Sequence, residues 1–297
     1  MLRRGTALAL ALALASGCGG AAATGRTTPL RPACADGERW DGTACRARGG
    51  EDDLRVAEAS IGDMELDAAM AALDRAATAP LAHDAYVRLW EQRGIAHASA
   101  EDADAARAAF THLLAADPGH AIDCERGGKI FRPFQRARAD AAALATPALE
   151  LRWRRDLRLG APVPVEIETI ADPARMMKTL TLYVRPRGEQ AWRAADVELP
   201  APGGVRTLVL PPFPGRASTS LELFAIASDD RGNEVHLWAS RDRPRDLPLR
   251  YDPPTPWYRT WWVWAAIGGT VAVGTGVGVY AAVWQPSDTL DAPTGAR

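Results

Sequence analysis

The chain has 297 residues, 47% of them apolar, and a formal net charge of −2. That balance gives no case for a nucleic-acid partner, which would call for a clustered basic face. Only Lys129 and Lys178 are lysines among 35 basic residues, a bias that belongs to a GC-rich genome rather than to a chemical need.

At the front, Arg3 and Arg4 precede an apolar run over residues 6–17 that ends at Cys18. A basic start, an apolar core of about 10 to 12 residues and small residues after it predict a secretory signal over 1–17, too short to span a bilayer. Leu14-Ala15-Ser16-Gly17-Cys18 resembles the bacterial lipoprotein signal, and the resemblance implies lipidation of Cys18, with membrane lipid as a partner.

Residues 18–50 read as a flexible tether of small, polar and Pro/Gly-bearing composition. Within it, Cys34 and Cys45 enclose 10 residues rich in turn formers, and outside the cytoplasm they are the natural disulfide pair. Cys124 is left over. The paired short spacings and nearby histidine of a zinc site are missing.

Over residues 51–145 apolar residues return at helical spacing: Leu66, Met70 and Leu73, then Leu89 and Trp90, then Phe110 and Leu114, then Ile130, Phe134 and Ala137. The segment aligns with itself at an offset of 37, Asp67 falling on Asp104 and Leu73 on Phe110, near the length of a two-helix repeat. Trp90, Gly94, Ala106, Phe110 and Pro118 have the spacing and residue types of the tetratricopeptide repeat, which this segment resembles. His97 and Leu113 depart from that pattern. The resemblance implies paired helices and protein or peptide binding, with no catalytic apparatus.

Over residues 146–250 the period changes to two. Val163, Val165 and Ile167 alternate with Pro164, Glu166 and Glu168. Runs bounded by Pro, Gly, Asp and Asn predict strands at 149–155, 162–170, 178–186, 191–198, 204–210, 219–228 and 234–240, an antiparallel immunoglobulin-like sandwich. Residues 221–233 resemble the penultimate strand and turn of bacterial immunoglobulin-like modules. Asp229, Asp230 and Glu234 beside Asn233 offer oxygens to calcium, but the turn needs Gly232 and Asn233 for its backbone, and no metal is expected. Arg152, Arg154, Arg155 and Arg158 read as a solvated face balanced by nearby acids.

A linker over 251–260 leads to an uncharged run over 261–284, with Trp261, Trp262 and Trp264 at one edge and Trp284 at the other. At about 1.5 Å per residue it is long enough to cross a hydrocarbon core of about 30 Å, and it predicts a transmembrane helix. Gly268, Ala272 and Gly276 recur every fourth residue, as do Gly274 and Gly278, a spacing that allows helix packing in lipid and a homodimer. A short tail follows over 285–297.

The expected fold is multidomain, α plus β: tetratricopeptide-like hairpins, an immunoglobulin-like sandwich and one transmembrane helix. The layout resembles envelope proteins of GC-rich predatory or gliding soil bacteria. The five histidines are scattered and no serine sits in a nucleophile elbow, so no catalytic residue and no cofactor is expected. The leading expectation is a non-enzymatic, membrane-anchored periplasmic scaffold that binds an envelope protein through its helical repeats. The alternative is an envelope stalk or sensor whose sandwich binds cell-wall glycan or another ligand.

Overall fold

The computed structural model describes residues 27–143, 145–253, 256–259, 261, 263 and 264. Residues up to Arg250 form one compact unit, and those from Tyr251 onward belong to a second.

The described residues include five α-helices, preceded by three short strands: α1 (Glu51–Gly62), α2 (Leu66–Ala76), α3 (His83–Ser99), α4 (Ala103–Ala116) and α5 (Gly128–Ala142). Glu51, Asp52 and Asp53 fill the first turn of α1, where negative charge meets the exposed N–H groups of the helix start. The Asp102 carboxylate accepts the Ala105 N–H at 3.0 Å and caps α4. Consecutive helices pack as antiparallel hairpins, α1 on α2 and α3 on α4, with α5 laid on α4. Leu54, Leu73, Leu81, Phe110, Leu113 and Phe134 are fully buried between them.

The strands are β1 (Arg31–Pro32), β2 (Glu38–Trp40), β3 (Cys45–Ala47), β4 (Ala148–Trp153), β5 (Val163–Ala171), β6 (Thr179–Pro186), β7 (Arg193–Glu198), β8 (Val205–Leu210), β9 (Thr219–Ser228), β10 (Glu234–Trp238) and β11 (Arg245–Leu249). One sheet runs β1-β7-β6-β9-β10, and β11 also pairs with β9; a second runs β4-β5-β8; β2 and β3 form a hairpin. β9 is long enough to serve two partners along one edge, β11 beside Thr219–Leu223 and β10 beside Ala225–Ser228. Val163, Val165 and Ile167 of one sheet share a buried cluster with Leu180, Leu182, Val184, Leu221 and Leu223 of the other, as period-two alternation requires of two half-buried sheets.

Two expectations need correction. The transmembrane helix is not found: among the described residues no helix is long and apolar enough to cross a membrane. The longest described helix, α3, has 17 residues, about 26 Å at 1.5 Å per residue, and carries Asp84, Arg88, Glu91 and Arg93. The architecture is therefore five helices followed by a β-sheet-rich region, without a spanning helix among the described residues. Of the run over 261–284 only Trp261, Val263 and Trp264 are described, so Gly268, Ala272, Gly274, Gly276 and Gly278 lie outside the described residues, as do Cys18 and the leader over 1–17.

The second correction concerns the tether. From Thr28 onward it is pinned to the sandwich: Thr28 N–H donates to the Val209 carbonyl at 2.8 Å, β1 pairs with β7, and Ala33 N–H donates to the Trp192 carbonyl at 3.1 Å. The segment bonds first to an edge of one sheet and then to an edge of the other.

Candidate functional site

The helical signature residues meet around one close crossing. A Cβ added at Gly94 would lie 2.2 Å from the Phe110 ring, so only glycine lets α3 approach α4 this closely. Phe110 meets Phe134 edge-on, with ring centroids 5.5 Å apart, and Ala106 is fully buried. Trp90 stacks on His112 at 4.4 Å with the Arg93 guanidinium over its ring. Burial, and then the nearby charge of Arg93, hold His112 below the usual imidazole range, so it is neutral at pH 7. Pro118 lies beyond the end of α4 and faces an adjacent cleft.

That cleft, about 480 Å³, lies between α4, α5 and the sandwich. Its wall is built largely from Leu114, Ala115, Pro118, Ala142, Pro147 and Pro173. Of the polar side chains on it, His112 is neutral, and Arg138 keeps its charge while donating to the His120 carbonyl at 2.5 Å and lying over Phe134. The sandwich side of the wall is held by Asp172, only 7% exposed, whose two carboxylate oxygens accept the Met176 and Met177 N–H groups at 3.0 and 2.9 Å. Pro173 and Ala174 are thereby fixed against the helices, and the Tyr86 hydroxyl reaches Met176 Sδ at 3.7 Å.

The helices and the sandwich are joined at a polar seam. The α2–α3 loop and the β9–β10 turn exchange two bonds: Leu81 N–H donates to Asn233 Oδ1 at 2.9 Å, and Glu234 N–H donates to the Leu81 carbonyl at 3.0 Å. Glu234 also accepts the His83 N–H at 3.1 Å and pairs with Arg48. Those two charged side chains are 10% and 13% exposed, so each depends on the other for compensation. The Asp229 carboxylate is consumed by its own turn, accepting from the Arg231 and Asn233 N–H groups and from Asn233 Nδ2. The Asp229 and Glu234 oxygens considered for calcium are thus turn and seam acceptors. Among the described residues no group of three or more His, Cys, Asp or Glu could hold a metal ion.

Cys34 and Cys45 are bonded, with Cα atoms 5.5 Å apart. The bridge staples the β2–β3 hairpin, whose turn is organised by Asp41 accepting from the Thr43 and Ala44 N–H groups and from Arg46. Those donors, the Arg46 guanidinium first, hold the Asp41 carboxyl well below the usual carboxylate range. Cys124 is free and exposed.

A second cleft, about 410 Å³, lies over Tyr183, Phe224 and Ile226, beside the disulfide hairpin. Much of its polar rim is already satisfied: Arg48 by Glu234, Arg241 by Asp36, and Glu38 by the Ala35 N–H. The cleft at α4 and α5 is the better candidate because its wall is built mainly of apolar side chains.

The sequence reading took Asn233 as a turn residue and did not pick out Asp172, Leu81 or Arg48. The one legible hint was the turn chemistry of Asp172-Pro173 and of Gly232-Asn233, which names a loop but not what the loop touches.

No family model matches the chain, and no curated protein matches it. Among solved structures it is similar to a cohesin module from a family 33 glycoside hydrolase of Clostridium perfringens. The likeness has 9% identity and a TM-score of 0.21, over 36% of this chain and 96% of that one, and is too small to carry any argument. None of these comparisons points to a signal peptide or a lipidated cysteine.

Proposed function

We propose that this protein is a non-enzymatic adaptor working outside the cytoplasm, which holds a partner protein by a short, uncharged apolar segment seated in the cleft between α4, α5 and the 172–178 loop. The observation that carries the reading is the chemistry of that wall: small apolar side chains and prolines, a neutral His112, and an Arg138 already bonded. An apolar occupant gains about 25 cal/mol per Å² of apolar surface removed from water, whereas a basic one would lose hydration beside the Arg138 guanidinium. Alanines and prolines lose little or no side-chain freedom when covered, which favours a shallow apolar site. The Cys34–Cys45 bridge supports a compartment oxidising enough to keep it.

The test is selection of a phage-displayed peptide library on the purified chain, with Ala142→Trp as the blocked form. Uncharged apolar sequences are expected to be enriched on the natural chain, and their affinity should fall at least about tenfold, or about 1.4 kcal/mol, on Ala142→Trp. Enrichment of charged sequences, or apolar peptides bound equally by both forms, would overturn the reading.

A further inference from the structure

The two ends of the sandwich differ in charge. The loops facing the helices, 172–178, 199–204 and 229–233, carry three basic and three acidic residues. At the opposite end, the loops 154–162, 187–192 and 211–218 together with Arg250 carry six arginines against two acids. Backbone bonds gather that end into one surface: Leu159 N–H donates to the Arg250 carbonyl, Arg250 N–H to the Leu157 carbonyl, and Gly160 N–H to the Phe213 carbonyl, all within 2.9 to 3.0 Å.

A depression of about 610 Å³ opens there, lined by Arg155, Arg187, Arg250, Ser218, Thr219 and Ser220. Arg187 is held in place by Asp246 at 2.7 Å and Glu222 at 3.7 Å, and Arg250 is fixed through its backbone. Arg155 has no carboxylate or hydrogen-bond partner among the described residues. Three guanidinium groups and three hydroxyls around one hollow supply many donors. A tetrahedral oxyanion suits the open fork of Arg155, because a guanidinium matches its oxygen pairs.

We infer that this hollow is an anion site for a phosphate group, with Arg155 as the guanidinium that gains its partner on binding. The inference is independent of the apolar cleft, which lies at the other end of the sandwich. The phosphate could belong to a free phosphorylated molecule or to a phospholipid headgroup, and the two sources are separable.

The experiment titrates the full chain with inorganic pyrophosphate by calorimetry and, in parallel, sediments it with phosphatidylcholine vesicles with and without phosphatidylglycerol. Arg155→Glu is compared with Arg132→Glu, a charge reversal on α5 that lies outside the hollow, and unfolding curves confirm that both variants fold. Binding of either probe that weakens about tenfold in Arg155→Glu, equivalent to about 1.4 kcal/mol, and stays unchanged in Arg132→Glu supports the site. A response to pyrophosphate assigns a free phosphate compound, and a response to the anionic vesicles alone assigns a headgroup. Binding of neither probe, or equal loss in the two variants, overturns the inference.

Discussion

The two ends of one β-sandwich have been put to opposite uses. At the helical end the buried polar groups of the seam are spent inside the molecule: Asn233 on Leu81, Glu234 on Arg48 and His83, Asp172 on its own loop. At the far end positive charge is left in excess around an open hollow. The same loop-bearing architecture thus yields a rigid joint where donors and acceptors balance, and a recognition surface where they do not.

Charge removal should separate the ends most sharply. Glu234→Gln leaves Arg48 buried without compensation and is expected to cost about 3–5 kcal/mol in denaturant unfolding. Asp156→Asn, which breaks the exposed pair with Arg154 at 2.6 Å, should cost no more than about 1 kcal/mol. Comparable losses at the two ends would erase the distinction.

Sequence patterns revealed the elements better than the joints. Gly94 and Phe110 were legible because a close helix crossing needs a small residue opposite a large one at fixed spacing. Val163, Val165 and Ile167 were legible because a half-buried strand must alternate. β11 was missed, since Pro248 and the charges Arg245 and Asp246 hide its alternation; an edge strand tolerates that proline because it bonds on one side only. The seam was invisible for a different reason. Asn233 reads locally as a turn residue, and its partner Leu81 lies 152 positions away, a distance no local pattern crosses. Of the apolar run over 261–284 only Trp261, Val263 and Trp264 are described, and no described helix is long and apolar enough to cross a membrane.

Acid should weaken the helical end by a smaller amount. Burial, with His83 adding to it and Asp172 opposing, holds His236 below the usual imidazole value of 6.5. The folded chain therefore binds a proton there less readily than the unfolded chain, so this contribution is complete above about pH 6.5 and is lost as pH falls below it. The melting temperature should drop between pH 7 and pH 5, and His236→Asn should flatten that slope. An unchanged slope in the variant would remove His236 from the seam's energetics.

The claim on which the apolar cleft depends is that helices and sandwich move as one body through the seam. Differential scanning calorimetry of the intact chain tests it most directly. A single transition for residues 27–250, with the calorimetric and van't Hoff enthalpies equal, is the expected result. Two separable transitions, one removed by Phe110→Ala in the helices and the other untouched by it, would contradict it.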